Sequence, residues 1–96
     1  MTVADLLKEK RNEILSIAAK HGARNVRVFG SVARGEADEK SDVDFLVEME
    51  PGRSLFDHAD LWLELQELLD RKVDVVSENS IYWLLRRRIL KEAKPL

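Results

Sequence analysis

The stretch Gly30-Ser31-Val32-Ala33-Arg34-Gly35-Glu36, followed after a short polar interval by Ser41-Asp42-Val43-Asp44-Phe45-Leu46-Val47, decides how this chain is read. Just upstream, Asn25-Val26-Arg27-Val28-Phe29 alternates in the manner of a strand. Gly30 ends it, and Ser31-Val32-Ala33-Arg34 fits the first turn of a short helix. Glycine permits backbone angles and close approaches that a Cβ forbids. A strand that turns through glycine into a helix leaves free N–H groups at the helix start, and these favour an anion. The Ser31 hydroxyl adds a donor at the same place. Taken alone, Gly-Ser is also simply a turn with a cap.

Asp42 and Asp44 open a second strand, Val43 to Met49. Side chains two apart in a strand project to one face. Carboxylates that close repel each other unless a cation sits between them. Carboxylate and phosphate oxygens together suit Mg²⁺, which prefers an incomplete protein shell. An isolated Asp-x-Asp is equally a solvated pair at a loop end. Val43, Phe45, Leu46, Val47 and Met49 predict burial on most of both strand faces. Asp74 lies in a third strand, Lys72-Val73-Asp74-Val75-Val76, where aspartate is disfavoured. Either it pairs with Arg71 or Lys72, or it completes a three-carboxylate site of the kind two-metal phosphoryl transfer needs.

Helices fill the intervals. Thr2 with Asp5 makes an approximate capping box, and Val3, Leu6, Leu7, Ile14, Ile17 and Ala18 recur on one face. One helix from Val3 to Lys20 is predicted, ended by His21-Gly22. After Pro51-Gly52, Ser54 caps a second long helix that runs to Asp70, with Asp57 three residues on. A last helix spans Ile81 to Ala93, before Pro95. The order is αβαβαβα, an α/β (α+β) arrangement of helices on a small sheet, in a single domain over 1–96. A hydrophobic share of 45% excludes disorder, and a net charge of −2 offers no field for unaided nucleic-acid capture. The absence of cysteine excludes a disulfide framework, a cysteine zinc site and thiol catalysis, and fits a cytoplasmic protein. No apolar run approaches a membrane span, and the acidic start is not that of a signal peptide.

Gly30-Ser31, ten intervening residues and then Asp42-Val43-Asp44 resembles the pattern of the DNA polymerase β-like nucleotidyltransferase superfamily. The wider string Gly-Ser-x-Ala-Arg-Gly-Glu…Ser-Asp-x-Asp is similar to its minimal nucleotidyltransferase branch, and Asp74 stands where that family places its third carboxylate. The resemblance covers essentially the whole chain and implies a small mixed sheet flanked by helices. It implies that Gly30 and Ser31 hold the triphosphate of ATP, and that Asp42 and Asp44 bind two Mg²⁺ ions. Asp74 would bind the catalytic metal and help deprotonate an acceptor hydroxyl. Arg34 matches the family string and would pair with an acidic neighbour or with phosphate. The family often has a larger polar or aromatic residue where this chain has Val32, so no nucleotide contact is carried over to that position.

The same resemblance implies a partner. Minimal nucleotidyltransferases are often encoded beside a small helical HEPN protein, a ribonuclease toxin that they neutralise by binding and by adding AMP to a tyrosine. The alternative is a non-catalytic antitoxin that masks its partner by contact alone. The acceptor would be bound by a partner or a dimer mate, making a hetero- or homo-oligomer. Among the remaining residues, Arg86-Arg87-Arg88 fits cations near a helix end more readily than a binding patch. Trp62 and Trp83 fit core or interface, and His21 and His58 fit helix-end or surface positions without metal-ligand spacing.

Overall fold

Local capping starts two of the helices. In the computed structural model, which describes residues 2–96, the Thr2 hydroxyl accepts from the Asp5 N–H at 3.1 Å. The Asp5 carboxylate in turn accepts from the Thr2 N–H at 3.2 Å. Ser54 and Asp57 repeat the reciprocal pair at the start of the long helix. The elements are α1 (Val3–Glu9), α2 (Arg11–Lys20), β1 (Ala23–Phe29), α3 (Ser31–Arg34), β2 (Val43–Met49), α4 (Leu55–Leu69), β3 (Val73–Ser77), α5 (Trp83–Glu92) and β4 (Lys94–Pro95). A 3₁₀ turn, Glu78–Ser80, links β3 to the approach of α5.

Two features depart from the sequence reading. The single helix expected over Val3 to Lys20 is two helices, interrupted at Lys10 (φ −93°, ψ 5°). Periodicity cannot detect this break, because the buried residues Val3, Leu7, Ile14 and Ala18 keep one phase across it. The second is β4, a two-residue strand that the sequence reading lacked altogether. Proline has no N–H to give a ladder and is tolerated at a sheet edge, where Pro95 stands. The strand pairs antiparallel with β1, Arg27 opposite Pro95, and the Leu96 N–H donates to the Val26 carbonyl.

The sheet is mixed, in the order β3-β2-β1-β4. Strand β1 runs antiparallel to β2 with a bulge between Arg24 and Arg27, and β2 runs parallel to β3 through the α4 crossover. Register assigns the faces. Val28, Phe45 and Val75 align across the sheet, as do Val43 and Val73, on the face that meets α2 and α4. With Ile14, Leu61, Leu65 and Leu69 they form one apolar core. Phe29, Asp44 and Asp74 align on the opposite face, next to the row Arg27, Leu46 and Val76. Leu46 is fully buried there but stands outside the main core, near an Arg27–Glu78 ion pair of 2.7 Å. The acidic residues thus share the face that the main core does not use.

The outer edge of β3 is closed by one face of α4. The Lys72 carbonyl accepts from the Val43 N–H of β2, so by alternation Val73 and Val75 direct their backbone groups outward. Trp62 Nε1–H donates to the Val73 carbonyl at 2.6 Å. His58 Nε2 lies 2.8 Å from the Val75 carbonyl, and the Val73 N–H donates to Gln66 Oε1 at 3.2 Å. His58, Trp62 and Gln66 are spaced four apart, so one helical face satisfies backbone groups that an edge strand leaves open.

Replacing the fully buried Leu61 by alanine removes core contacts and leaves a cavity. Urea unfolding of Leu61→Ala should show a loss of about 2–5 kcal/mol. Leu63→Ala, at a position 53% exposed in the same helix, should stay within about 0.5 kcal/mol of the parent. Similar losses at both positions would contradict the assigned core face.

Candidate active site

The turn between β1 and α3 needs glycine for two separate reasons. Gly30 has φ 73° and ψ −149°, in the region that L side chains rarely adopt. A Cβ on it would also collide with the carboxylate of Asp44. The strand therefore comes directly against an acidic group, and Ser31 follows as the first residue of α3. The first-turn N–H groups of Ser31, Val32 and Ala33 have no backbone acceptor among the described residues, as at any helix start. The Gly30 N–H has one, the Glu92 carboxylate at 3.2 Å.

Parallel pairing sets Asp44 and Asp74 directly beside each other on neighbouring strands, which lie about 4.8 Å apart. Asp42 precedes β2 by one residue and is half-exposed, with Lys72 Nζ 3.6 Å away. Asp74 pairs with neither of the cations the sequence offered. Lys72 takes Asp42, and Arg71 directs a guanidinium N–H toward the Ser41 carbonyl at 3.5 Å. The structure thus brings together Gly30, Asp42, Asp44 and Asp74, with Ser31 next to the glycine.

The electrostatic consequence falls on Asp44. Burial first, then the charges of Asp74 and Asp42, raise its carboxyl from the ordinary 3.8 to about 6. Arg34 opposes the shift, while Glu92 contributes to it. A group of acidic side chains that resist shared ionisation is relieved by a cation, and an all-oxygen donor set suits a hard one. Among the described residues, no group of three or more acidic, histidine or cysteine side chains is placed to hold a metal ion by itself. Mg²⁺ usually keeps several waters and takes phosphate oxygens beside one or two carboxylates, so it asks for a partial protein shell. The Asp44–Asp74 pair, with Asp42 nearby, is the carboxylate set from which such a partial shell would be drawn.

Arg34 is bound to acids on both sides. Its Nε donates to Glu36 at 2.9 Å and another guanidinium N–H donates to Glu92. This matches the acidic-neighbour alternative for Arg34, and the bonds to Glu36 and Glu92 raise its pKa further. Glu92 was invisible to motif reading. It lies at the end of α5, 62 positions from Gly30, and joins Gly30 and Arg34 through one carboxylate. The Arg34 bond, helped by the Gly30 N–H, lowers the Glu92 pKa. His58 and Trp62 also differ from their sequence reading. Both are anchored to carbonyls on either side of Asp74. A cavity of about 620 Å³ lies between α1, α3 and β4; Arg34 lines it, and none of the three aspartates does.

Comparison with known proteins agrees with this geometry. The model of the nucleotidyltransferase domain family matches residues 7–96. A Methanocaldococcus jannaschii protein, provisionally named a protein adenylyltransferase, is 47% identical over 87 residues, covering 91% of this chain and 94% of the relative. A solved structure described provisionally as a minimal nucleotidyltransferase superposes with a TM-score of 0.86 at 54% identity, covering 96% of this chain and 94% of that one. The fold also matches a chain from a complex of a tri-AMPylated Shewanella oneidensis HEPN toxin with an MNT antitoxin. There the TM-score is 0.70 and the identity 20%, over 92% of this chain and 69% of the other. The chain belongs to the nucleotidyltransferase domain family. It is an enzyme of the minimal nucleotidyltransferase branch. No helix among the described residues is long and apolar enough to cross a membrane.

The raised pKa of Asp44 has a definite sign in folding. Between 3.8 and about 6 Asp44 binds more proton in the folded chain than in the unfolded one, so its contribution to stability falls as pH rises through that window. In chelator-containing buffer, denaturant titrations across it should show the parent losing stability relative to Asp44→Asn as pH rises. Asp44→Asn should flatten the decline and be the more stable protein at neutral pH. A parent and an Asp44→Asn variant whose stabilities change in parallel over this window would contradict the burial of Asp44 among acids.

Proposed function

We propose that this chain transfers AMP from ATP to a tyrosine hydroxyl of a small helical HEPN-type toxin, and so acts as that toxin's antitoxin. The observation that carries the reading is the meeting of the Gly30-Ser31 turn with the Asp44–Asp74 pair, where a Cβ on Gly30 would leave no room for the Asp44 carboxylate. The adenylyltransferase name of the Methanocaldococcus relative and the AMPylated toxin bound by the Shewanella antitoxin supply the precedent for AMP and for the partner.

Each residue has a role in this reading. Gly30 lets the chain approach the triphosphate, and Ser31 donates its hydroxyl to it. Arg34 contributes positive charge at the same turn. Asp42, Asp44 and Asp74 would hold two Mg²⁺ ions, which would supply positive charge to the reacting phosphates. Asp74, the most exposed of the three, faces the side from which an acceptor arrives and takes its proton. Rate enhancement rests on positioning and preorganised charge rather than on a covalent enzyme intermediate. A single cytoplasmic domain over residues 1–96 completes the proposal, with the partner supplying the acceptor.

A second reading is masking without catalysis. Tyr82, just before α5, and Trp83, Leu84 and Leu85 in its first turn are exposed, Leu55 and Phe56 are exposed at the start of α4, and such surface suits a protein partner. The two readings separate in one experiment. The protein is incubated with ATP labelled at the α-phosphate, Mg²⁺ and the helical protein encoded beside it. Label should pass to a tyrosine of that protein, be lost on chelation, and fall at least 100-fold in Asp42→Asn/Asp44→Asn while the complex still forms. No transfer by the parent chain, with the double variant protecting cells equally well, would leave masking as the function.

A further inference from the structure

We propose that the shallow groove between the first half of α4 and the outer edge of β3 receives the aromatic ring of the acceptor side chain and presents its hydroxyl to Asp74. This rests on the nucleotidyl transfer proposed above. The groove has a volume of about 360 Å³ and is lined by Leu55, His58, Ala59, Trp62, Asp74 and Val75.

Its position is the first argument. The sheet carries the Gly30 turn on β1, Asp44 on β2 and Asp74 on β3, and the groove begins beyond β3. Asp74 therefore stands between the phosphate side and the groove, as a group that takes a proton from an acceptor must. Asp74 is the one residue that belongs both to the carboxylate site and to the lining of the groove.

The chemistry of its wall is the second. His58 and Trp62 are the lining side chains with N–H groups to offer. Trp62 Nε1 is committed to the Val73 carbonyl and His58 Nε2 to the Val75 carbonyl. These bonds turn polar ends inward, against the strand edge, and fix the two rings as walls. Leu55, Ala59 and Val75 complete an apolar lining in which Asp74 is the one acid. An occupant that matches is an apolar ring with one polar tip. A phenol has that form, whereas an aliphatic hydroxyl on a one-carbon stem covers little of the wall.

The step balances within the site. The phenolic oxygen forms a bond to the α-phosphorus of ATP. The bond from that phosphorus to the bridging oxygen breaks, pyrophosphate leaves with the electron pair, and the phenolic proton passes to the Asp74 carboxylate. The bonds from His58 and Trp62 to the residues on either side of Asp74 make them positioning residues for that carboxylate.

The test uses N-acetyltyrosinamide as the probe and N-acetylalaninamide as the control, each added to nitrogen-labelled protein with ATP analogue and Mg²⁺ present. The tyrosine probe should shift the Trp62 indole N–H resonance, and the control should not. Ala59→Phe, at an exposed helix position, fills the groove and should weaken the probe roughly tenfold or more while nucleotide binding is unchanged. Leu55→Asp, at a position 86% exposed, offers a second variant that does not disturb the core and should weaken it likewise. An unmoved Trp62 resonance, or equal probe affinity in the parent and both variants, overturns the groove. Label transfer from ATP is measured on the same samples and with the neighbouring helical protein. A parent chain that binds the probe at Trp62 yet transfers nothing to either acceptor overturns the transfer reading and leaves the groove as a binding site.

Discussion

The parallel register between β2 and β3, which sets Asp44 beside Asp74, is the constraint on which the rest of the structure depends. It places the Asp74 charge where it opposes ionisation of Asp44, an arrangement that hydrophobic packing must sustain. The same pairing aligns Val43 with Val73 and Phe45 with Val75 on the opposite face, all within the apolar core. A slip of one residue would bury the aspartates and expose the valines. Core and site are therefore specified by one alternation, and the burial that fixes the register also maintains the repulsion.

Around this register the other elements act as supports. Gly30 lets β1 pass close enough to crowd Asp44, and α4 ties down the free side of β3 through His58, Trp62 and Gln66. Glu92 connects the end of α5 to the glycine turn and to Arg34. The last helix has no fully buried residue, so polar ties of this kind and the short β4 pairing hold it to the body. Arg86 adds another such tie, donating to the Glu78 carbonyl at 2.8 Å.

Much of this was legible in the residues. The capping pairs Thr2–Asp5 and Ser54–Asp57, the alternation of Val26 and Val28, and the apolar run from Val43 to Met49 led to the right elements, because each depends on neighbours in sequence. The Gly-Ser turn and the Asp-x-Asp pair were equally local. What escaped was set by contacts across the chain. The break at Lys10 leaves the phase of the apolar residues unchanged, and β4 has no strand character of its own, existing because β1 presents an edge. Glu92 looked like any helical glutamate, and His58 like a surface histidine, until the fold brought each against a backbone group of the site. An unpaired Asp74 could be suspected from its unfavourable strand position, but its neighbour on β2 follows only from the register.

The closed borders of the sheet have a consequence for how this small protein meets others. On one side α4 occupies outward backbone groups of β3, and on the other β4 is two residues long and contains Pro95. Neither border gives an incoming strand an uninterrupted ladder to extend. Association by strand addition, the common route to uncontrolled polymerisation of small sheets, is thereby discouraged. The apolar side chains left in contact with water stand on helices instead. Recognition is thus directed to side-chain surfaces, where shape and charge can discriminate among partners, and away from the backbone, which would accept almost any extended chain.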